Sequence, residues 1–401
     1  MNSAKKLLKN RFVKGGNHLK ATNTYKEDAF DFIDRKLENN KNIINLAVGN
    51  PDGKPNKLLI DTLSQCIQEE DMHGYGCFSP ELTSSLRKSI ANYYQSRFGV
   101  NLTPDSHFLE VPGTKVAIYR LISLLIGKNE KVLLPSPSYS VYTKCIELLD
   151  GDILYFPCNP DDFYPDLSKI SETAFKEAKL MILCSPGNPT STVLSSAFYE
   201  EVVLLAKKYQ FMIINDLAYA EVRYTDAEVP SILSIEGSQE VAVELYSLSK
   251  SCNIAGWRIG FVCGNKEIIK QLKALQFNIE FGLFLPLQKT AITALEHLPM
   301  LAGVEIAKYE ERIDYFIAEM NKVGWKIKKP AASFFIWTKI PKQYDYMSDK
   351  EFVTFILEKT DILFSPGSGF GSGGKGYIRI AMVQEMSVME VVVTKLKQLL
   401  D

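Results

Sequence analysis

The feature that most constrains this chain is a series of short apolar stretches between residues 132 and 263, separated by turns and helical segments. Residues 132–134, 153–156, 180–184, 212–215, 241–248 and 259–263 are apolar almost throughout, without the polar alternation of a half-exposed strand. Such runs predict strands buried on both faces. Residues 142–149 and 197–209 carry helical periodicity between them. Solid strands alternating with helices predict an α/β architecture: a mostly parallel sheet covered by helices on both sides. In sheets of this kind ligands gather at the C-terminal ends of the strands. Polar residues cluster at three such ends: residues 185–189, then Asp216 and Tyr219, then Ser247 to Lys250.

With 401 residues the chain is long enough for two domains. Helical periodicity also marks residues 28–37, 81–98, 116–126, 350–359 and 387–400. Residues 282–310 read as one helical stretch, best defined over 288–297. Further strands are expected at residues 333–338 and 378–382, and a buried strand runs from Ile43 into the turn ending at Gly53. The predicted organisation is an N-terminal arm with part of a smaller domain over residues 1–50, a large ligand-binding domain over 51–290, and a smaller α+β domain over 291–401. The glycine-rich residues 365–376 read as a flexible surface connection. They lack the strand–helix context of a phosphate-binding or dinucleotide fingerprint.

Several function classes recede on composition. A net charge of -1 gives no reason to expect nucleic acid or an anionic membrane as partner. The apolar runs are too short to span a bilayer. The N-terminus has Lys5, Lys6, Lys9, Arg11, Lys14 and Lys20 with no acid before Glu27, which reads as a solvated basic arm. It has no apolar core of a signal peptide. Seven cysteines, an odd number with no CxxC pair, suit reduced thiols and a cytoplasmic protein. Four isolated histidines show no metal-ligand spacing, so no metal site is expected.

Chemistry enters with residues 246–261. Lys250 stands among small hydroxyl residues, and Arg258 follows eight positions later. Burial beside positive charge lowers a lysine's pKa, as a Schiff-base lysine requires. The hydroxyls of Ser247 and Ser249 and the guanidinium fork of Arg258 suit a phosphate. An aldehyde that carries a phosphate points to pyridoxal phosphate. That cofactor needs a carboxylate at its ring nitrogen, donors at its ring oxygen, an aromatic face and a phosphate cup. Asp216, Tyr219 and Asn188 are candidates for the first two needs. Gly113 and Thr114, opening a helix, make an anion site, though an ordinary N-cap by Thr114 explains the same residues. Gly49 permits close approach of backbone to a ligand. Tyr75 lies between two glycines.

The motifs taken together resemble the fold-type I, class I aminotransferases. They are Ile44-Asn-Leu-Ala-Val-Gly-Asn-Pro-Asp52, Gly74-Tyr-Gly76, Pro112-Gly-Thr-Lys115, Pro135-Ser-Pro-Ser-Tyr-Ser-Val-Tyr142, Ser185-Pro-Gly-Asn-Pro-Thr190, Asn215-Asp-Leu-Ala-Tyr219, Ser247-Leu-Ser-Lys250, Gly256-Trp-Arg-Ile-Gly-Phe261 and Tyr377-Ile-Arg-Ile380. They span nearly the whole chain in the family's order. The resemblance implies an aspartate aminotransferase-like fold and pyridoxal phosphate as cofactor. It also implies amino acid and 2-oxo acid substrates, and a homodimer. It assigns Lys250 to the cofactor aldehyde and to proton transfer, Asp216 to the ring nitrogen, Tyr219 and Asn188 to the ring oxygen, and Tyr139 to stacking. Gly113, Thr114, Lys115, Ser247 and Arg258 match the phosphate cup, and Tyr75 reaches the phosphate of the neighbouring subunit. Arg379 matches the partner of the substrate carboxylate, with Gly49 and Asn188 beside it. Lys115 is open to a second role, contact with a distal substrate carboxylate. Ser191 stands where many relatives have glycine, a position that makes the turn and not the chemistry.

Within the family the motifs look most like glutamate–pyruvate (alanine) transaminases of bacteria. Aspartate and LL-diaminopimelate aminotransferases are near neighbours. A pyridoxal phosphate-dependent β-lyase acting on cysteine conjugates would share every residue named. A non-catalytic regulatory domain would need an appended DNA-binding module, for which the first 40 residues are too short.

Overall fold

A computed structural model describes residues 29–38, 42–224 and 228–400. The basic N-terminal arm lies outside the described residues.

Seven strands form the main sheet: β2 (Phe108–Val111), β3 (Lys131–Ser136), β4 (Asp152–Pro157), β5 (Ala178–Cys184), β6 (Met212–Asp216), β7 (Ala242–Ser247) and β8 (Gly260–Gly264). Their order is β2-β8-β7-β6-β5-β3-β4. All run parallel except β8, which is antiparallel to both of its neighbours. The solid apolar runs have a simple cause. Met181 and Ile213 pack into one core on one face, while Leu180, Ile182 and Ile214 pack into a second core on the other. Both faces are covered, so these strands are apolar at most positions, and the polar residues they do bury, such as Asn215 and Glu244, are hydrogen-bonded.

β2 was not expected from sequence. Its four residues include Glu110, a charged residue that breaks the apolar run. The strand is nevertheless buried throughout, because Arg87 from the helix Pro80–Phe98 grips the Glu110 carboxylate through two nitrogens, each at 3.0 Å. The stretch 282–310 is two helices, Leu285–Glu296 and Leu298–Lys322. Pro299 lacks the N–H that a continuous helix would use, and it sits instead in the first turn of the second helix. The helices Lys57–Cys66 and Lys266–Ile279 were also not expected; Asn265 caps the latter by accepting from Glu267 and Ile268 N–H.

A smaller sheet joins β11 (Ser365–Pro366), β12 (Tyr377–Ala381) and β9 (Phe335–Lys339) in antiparallel order. Beside it β1 (Ile44–Asn45) pairs in parallel with β10 (Ile362–Leu363). These strands, with the helices Leu298–Lys322, Asp349–Thr360 and Met386–Leu400, close a third apolar core. Phe32 and Ile33, from the helix Ala29–Glu38, enter the same core.

The glycine-rich segment corrects the sequence reading. It is no flexible surface connection: Gly367, Gly369, Phe370 and Gly374 are buried in two short 3-10 turns. The Asp349 carboxylate accepts from Ser368 N–H at 2.7 Å, and Ser136 at the end of β3 accepts from Gly373 N–H at 3.0 Å. Glycine is required because the segment folds against itself, and a Cβ on Gly367 or Gly374 would meet the other's backbone. Among the described residues no helix is long and apolar enough to cross a membrane.

Candidate active site

The C-terminal ends of β5, β6 and β7 open on a cavity of about 240 Å³ between the main sheet and the smaller one. Asp216, Tyr219 and Lys250 line it from the main sheet, with Asn188 from the loop after β5. Thr114, Lys115 and Tyr139 come from helix starts, Gly49 from the turn after β1, and Arg379 from β12. Nine of the thirteen residues singled out in the sequence thus surround one space.

Lys250 is the chemical centre of this space. Its Nζ donates to the Gly49 carbonyl at 2.8 Å. Burial lowers its pKa to about 8, reinforced by the positive charges of Arg379 and Arg258 and opposed by Asp216. Near neutral pH a minor fraction is therefore free amine, far more than for an ordinary lysine, and a nucleophile or proton carrier needs that form.

Asp216 ends β6 with its side chain buried. Burial pushes the carboxyl above its usual range. The Tyr142 hydroxyl, donating to Oδ2 at 2.8 Å, and the Ala218 N–H, donating to Oδ1 at 3.2 Å, oppose that rise, as does the charge of Lys250. Two contacts leave this carboxylate acceptor capacity to spare.

Arg379 occupies the middle of β12 opposite Trp337 and is almost wholly buried. Its guanidinium lies over the Phe335 and Phe370 rings, 4.3 and 4.7 Å from their centroids. One terminal nitrogen donates to Asn188 Oδ1 at 2.8 Å, the other to the Ala47 carbonyl at 2.6 Å. The Nε–H is buried without a partner among the described residues. Burial lowers the pKa to about 10, so the group stays charged at neutral pH. A charged fork held this firmly, with a donor to spare, suits a carboxylate.

Tyr139 precedes the helix Ser140–Leu148 and meets Tyr142 edge-on, with centroids 5.4 Å apart. Tyr219 is held edge-on against Phe334 and Phe335. Burial raises the pKa of both phenols, so both are donors at neutral pH.

Gly113 has φ +87 and leads into the helix Thr114–Leu125. A Cβ there would run into the Arg258 guanidinium, so the bare glycine lets Arg258 lie against the helix start. Ser247 ends β7 opposite Gly260, and its hydroxyl accepts from Ser249 N–H at 3.1 Å. Gly113, Ser247 and Arg258 do not line the cavity itself. Tyr75 stands apart from it: the residue is 65% exposed, and its ring rests on Phe281 with centroids 4.9 Å apart.

Seven lining residues were given no role from sequence, Tyr142 and Phe335 among them. Tyr142 lies three residues beyond Tyr139, in the first turn of the helix that Tyr139 precedes, and that nearness could have suggested it. Phe335 carried no such signal, since an apolar residue in a strand reads as core.

The family described as aminotransferase class I and II matches residues 41–396. The chain is 34% identical to the glutamate-pyruvate aminotransferase AlaC of Escherichia coli K12, over 86% of this chain and 83% of that protein. It is 35% identical to the LL-diaminopimelate aminotransferase of Natranaerobius thermophilus, over 88% of this chain and 91% of that protein. Among solved structures, substrate-bound BacF from Bacillus subtilis superposes with a TM-score of 0.87 at 32% identity, covering 92% of this chain and 94% of that one. The chain belongs to the class I and II aminotransferases, and is a pyridoxal phosphate-dependent enzyme that moves an amino group between an amino acid and a 2-oxo acid.

Proposed function

We propose that the enzyme exchanges amino groups between L-glutamate and pyruvate, in the cytoplasm and as a homodimer. The observation that carries the chemistry is the convergence of Lys250, Asp216 and Arg379 on one cavity. The identity to a glutamate-pyruvate aminotransferase over most of both chains supports the substrate pair. All seven cysteines are free thiols, which suits a reducing compartment. The proposed division is an arm with part of the smaller domain (1–50), a large domain (51–290) and a smaller domain (291–401); Leu46 and Ala47 share a core with residues 309–400, while the large-domain core reaches on to Leu301.

The residues fit pyridoxal phosphate by their chemistry. Lys250 is an amine of lowered basicity to hold the aldehyde. Asp216 is a carboxylate with acceptor capacity left for the ring nitrogen. Tyr219 and Asn188 would serve the ring oxygen, and Tyr139 would stack on the ring. The bare backbone at Gly113, with Thr114, Lys115, Ser247 and Arg258, would hold the phosphate. The partner subunit's Tyr75 would complete that cup. When bound, the cofactor supplies an electron sink for the bond broken at the substrate Cα.

The chain's own groups do the rest. Arg379 orients the substrate through its carboxylate, with Asn188 and the Gly49 backbone alongside. Lys250 would act as the general base that takes the proton from the substrate Cα and then, carrying that proton, as the general acid that delivers it to a carbon of the bound cofactor. Phe335 and Tyr139 line the same cavity and would give it an apolar wall beside the reacting atoms.

Purified enzyme supplied with cofactor, L-glutamate and pyruvate is expected to form alanine and 2-oxoglutarate in equal amounts. Lys250→Ala should abolish turnover together with the absorbance of the protein-bound cofactor. Normal turnover by that variant would sink the residue assignments. Faster exchange with LL-diaminopimelate or aspartate would replace the substrate pair. Release of pyruvate and ammonia from cystathionine, with no 2-oxo acid added, would replace transamination as the main activity.

A further inference from the structure

Ser191 and Ser333 both have φ +60, a left-handed conformation that costs serine more than glycine. Both are buried. Their hydroxyl oxygens lie 2.6 Å apart. The Ser191 hydroxyl donates to the Phe335 carbonyl at 2.8 Å, and Ser333 Oγ accepts from Phe335 N–H at 3.1 Å. Ser191 has spent its one proton on the carbonyl, so Ser333 must donate to Ser191. Three hydrogen bonds therefore close a circuit: Phe335 N–H to Ser333, Ser333 to Ser191, and Ser191 to Phe335 C=O. In a buried circuit each bond polarises the next. Glycine would suit either backbone position better, but it would leave the circuit open.

The circuit joins the two segments that hold Asn188 and Arg379. On one side Ser191 N–H donates to the Gly187 carbonyl at 2.9 Å, closing the turn that carries Asn188. On the other, Phe335 begins β9, and Trp337 two residues on is paired with Arg379 of β12. The loop between those ends is completed by Arg379 donating to Asn188 Oδ1 at 2.8 Å. Ser333 N–H also donates to the Val222 carbonyl at 2.5 Å, which ties in the segment that follows Tyr219.

We propose that Ser191 and Ser333 are positioning residues for the substrate carboxylate, setting Asn188 against Arg379 across the gap between the two sheets. This rests on the reading of Arg379 and Asn188 as the carboxylate site. The test is steady-state kinetics of the holoenzymes carrying Ser191→Gly and Ser191→Ala, with melting temperatures measured alongside. Both variants lose the hydroxyl, but only glycine relieves the left-handed backbone. Both should raise KM for the amino acid and the 2-oxo acid at least threefold with kcat within twofold, while Ser191→Gly melts higher than Ser191→Ala. Should the alanine variant not fold, Ser333→Gly opens the same circuit and should show the same KM rise. Unchanged KM values, or losses confined to kcat, would overturn the proposal. Arg379→Lys separates the two layers. A KM rise there with none in the serine variants overturns only the positioning role, and no rise there overturns the carboxylate reading beneath it.

Discussion

Glu244 and Asp216 are buried carboxylates on adjacent strands, one residue out of register, and only Asp216 faces a cavity. Glu244 pairs across β7 and β6 with Asn215, while Asp216 pairs with Leu245. Burial raises both carboxyls above their usual range. Glu244 fills its hydrogen-bonding capacity: Tyr94 and Ser231 hydroxyls donate to one oxygen, and Asn215 Nδ2 and Ile232 N–H to the other. Among the described residues Asp216 takes two donors, and its remaining capacity is left for the cavity, with Lys250 beside it. A perturbed buried acid is thus not in itself a functional site. What separates the two is whether the hydrogen-bonding capacity is used up inside the fold.

The strongest way to break this comparison is Glu244→Ala. It strands donors in a sealed interior at about 1–3 kcal/mol each, so denaturant unfolding should show a loss of at least about 3 kcal/mol. Activity per folded molecule should stay close to the parent's; a folded but inactive variant would put Glu244 in the site.

Arg379→Ala acts on the open side of the comparison. Losing the charged fork should lower kcat/KM by about 2–5 kcal/mol, expressed mainly as a raised KM. An unchanged KM would remove Arg379 from the substrate.

Lys250 sharpens the contrast through pH. Its pKa of about 8 in the fold compares with about 10.4 for an unfolded lysine. Between those values the unfolded chain binds more protons, so this lysine's contribution to stability rises with pH across that window and is flat below it. The stability difference between the cofactor-free parent and Lys250→Met, measured in urea from pH 7 to 10, should move in the parent's favour. A trend the other way would mean that Lys250 is charged and paired in the fold.

The smallest effect belongs to Tyr142→Phe. It removes one of the two donors to Asp216, worth about 1 kcal/mol, and should lower kcat/KM by about fivefold with the fold intact. No change would show that Asp216 needs no help from Tyr142.

Sequence reached much of this arrangement because its strongest signals are local. Solid apolar runs marked six of the seven main strands, and the strand-end rule brought Asp216, Tyr219 and Lys250 to one edge before any contact was known. β2 escaped because the charge of Glu110 is cancelled by Arg87, a partner 23 residues away that no local pattern shows. The break at His297 was blurred by two adjoining helices of similar pattern. Asn188 and Arg379 are 191 residues apart, and only the family resemblance linked them to one ligand. The glycine-rich segment looked mobile by composition, although its glycines are there for close packing. Ser191 was read as a turn residue; its backbone agrees, but its hydroxyl bridges to Ser333, 142 residues away.

The difference between the saturated and the open carboxylate is tested most directly by kcat/KM of the Asp216→Asn holoenzyme, expressed per folded molecule. An amide keeps the size of Asp216 and its acceptor for Ala218 N–H but removes the charge facing the cavity. The expected result is a fall of about 10²-fold or more, as for loss of a group that stabilises charge in a reacting site, with an unchanged melting temperature. Activity near the parent's, accompanied by a large loss of stability, would make Asp216 a second Glu244 and contradict the account.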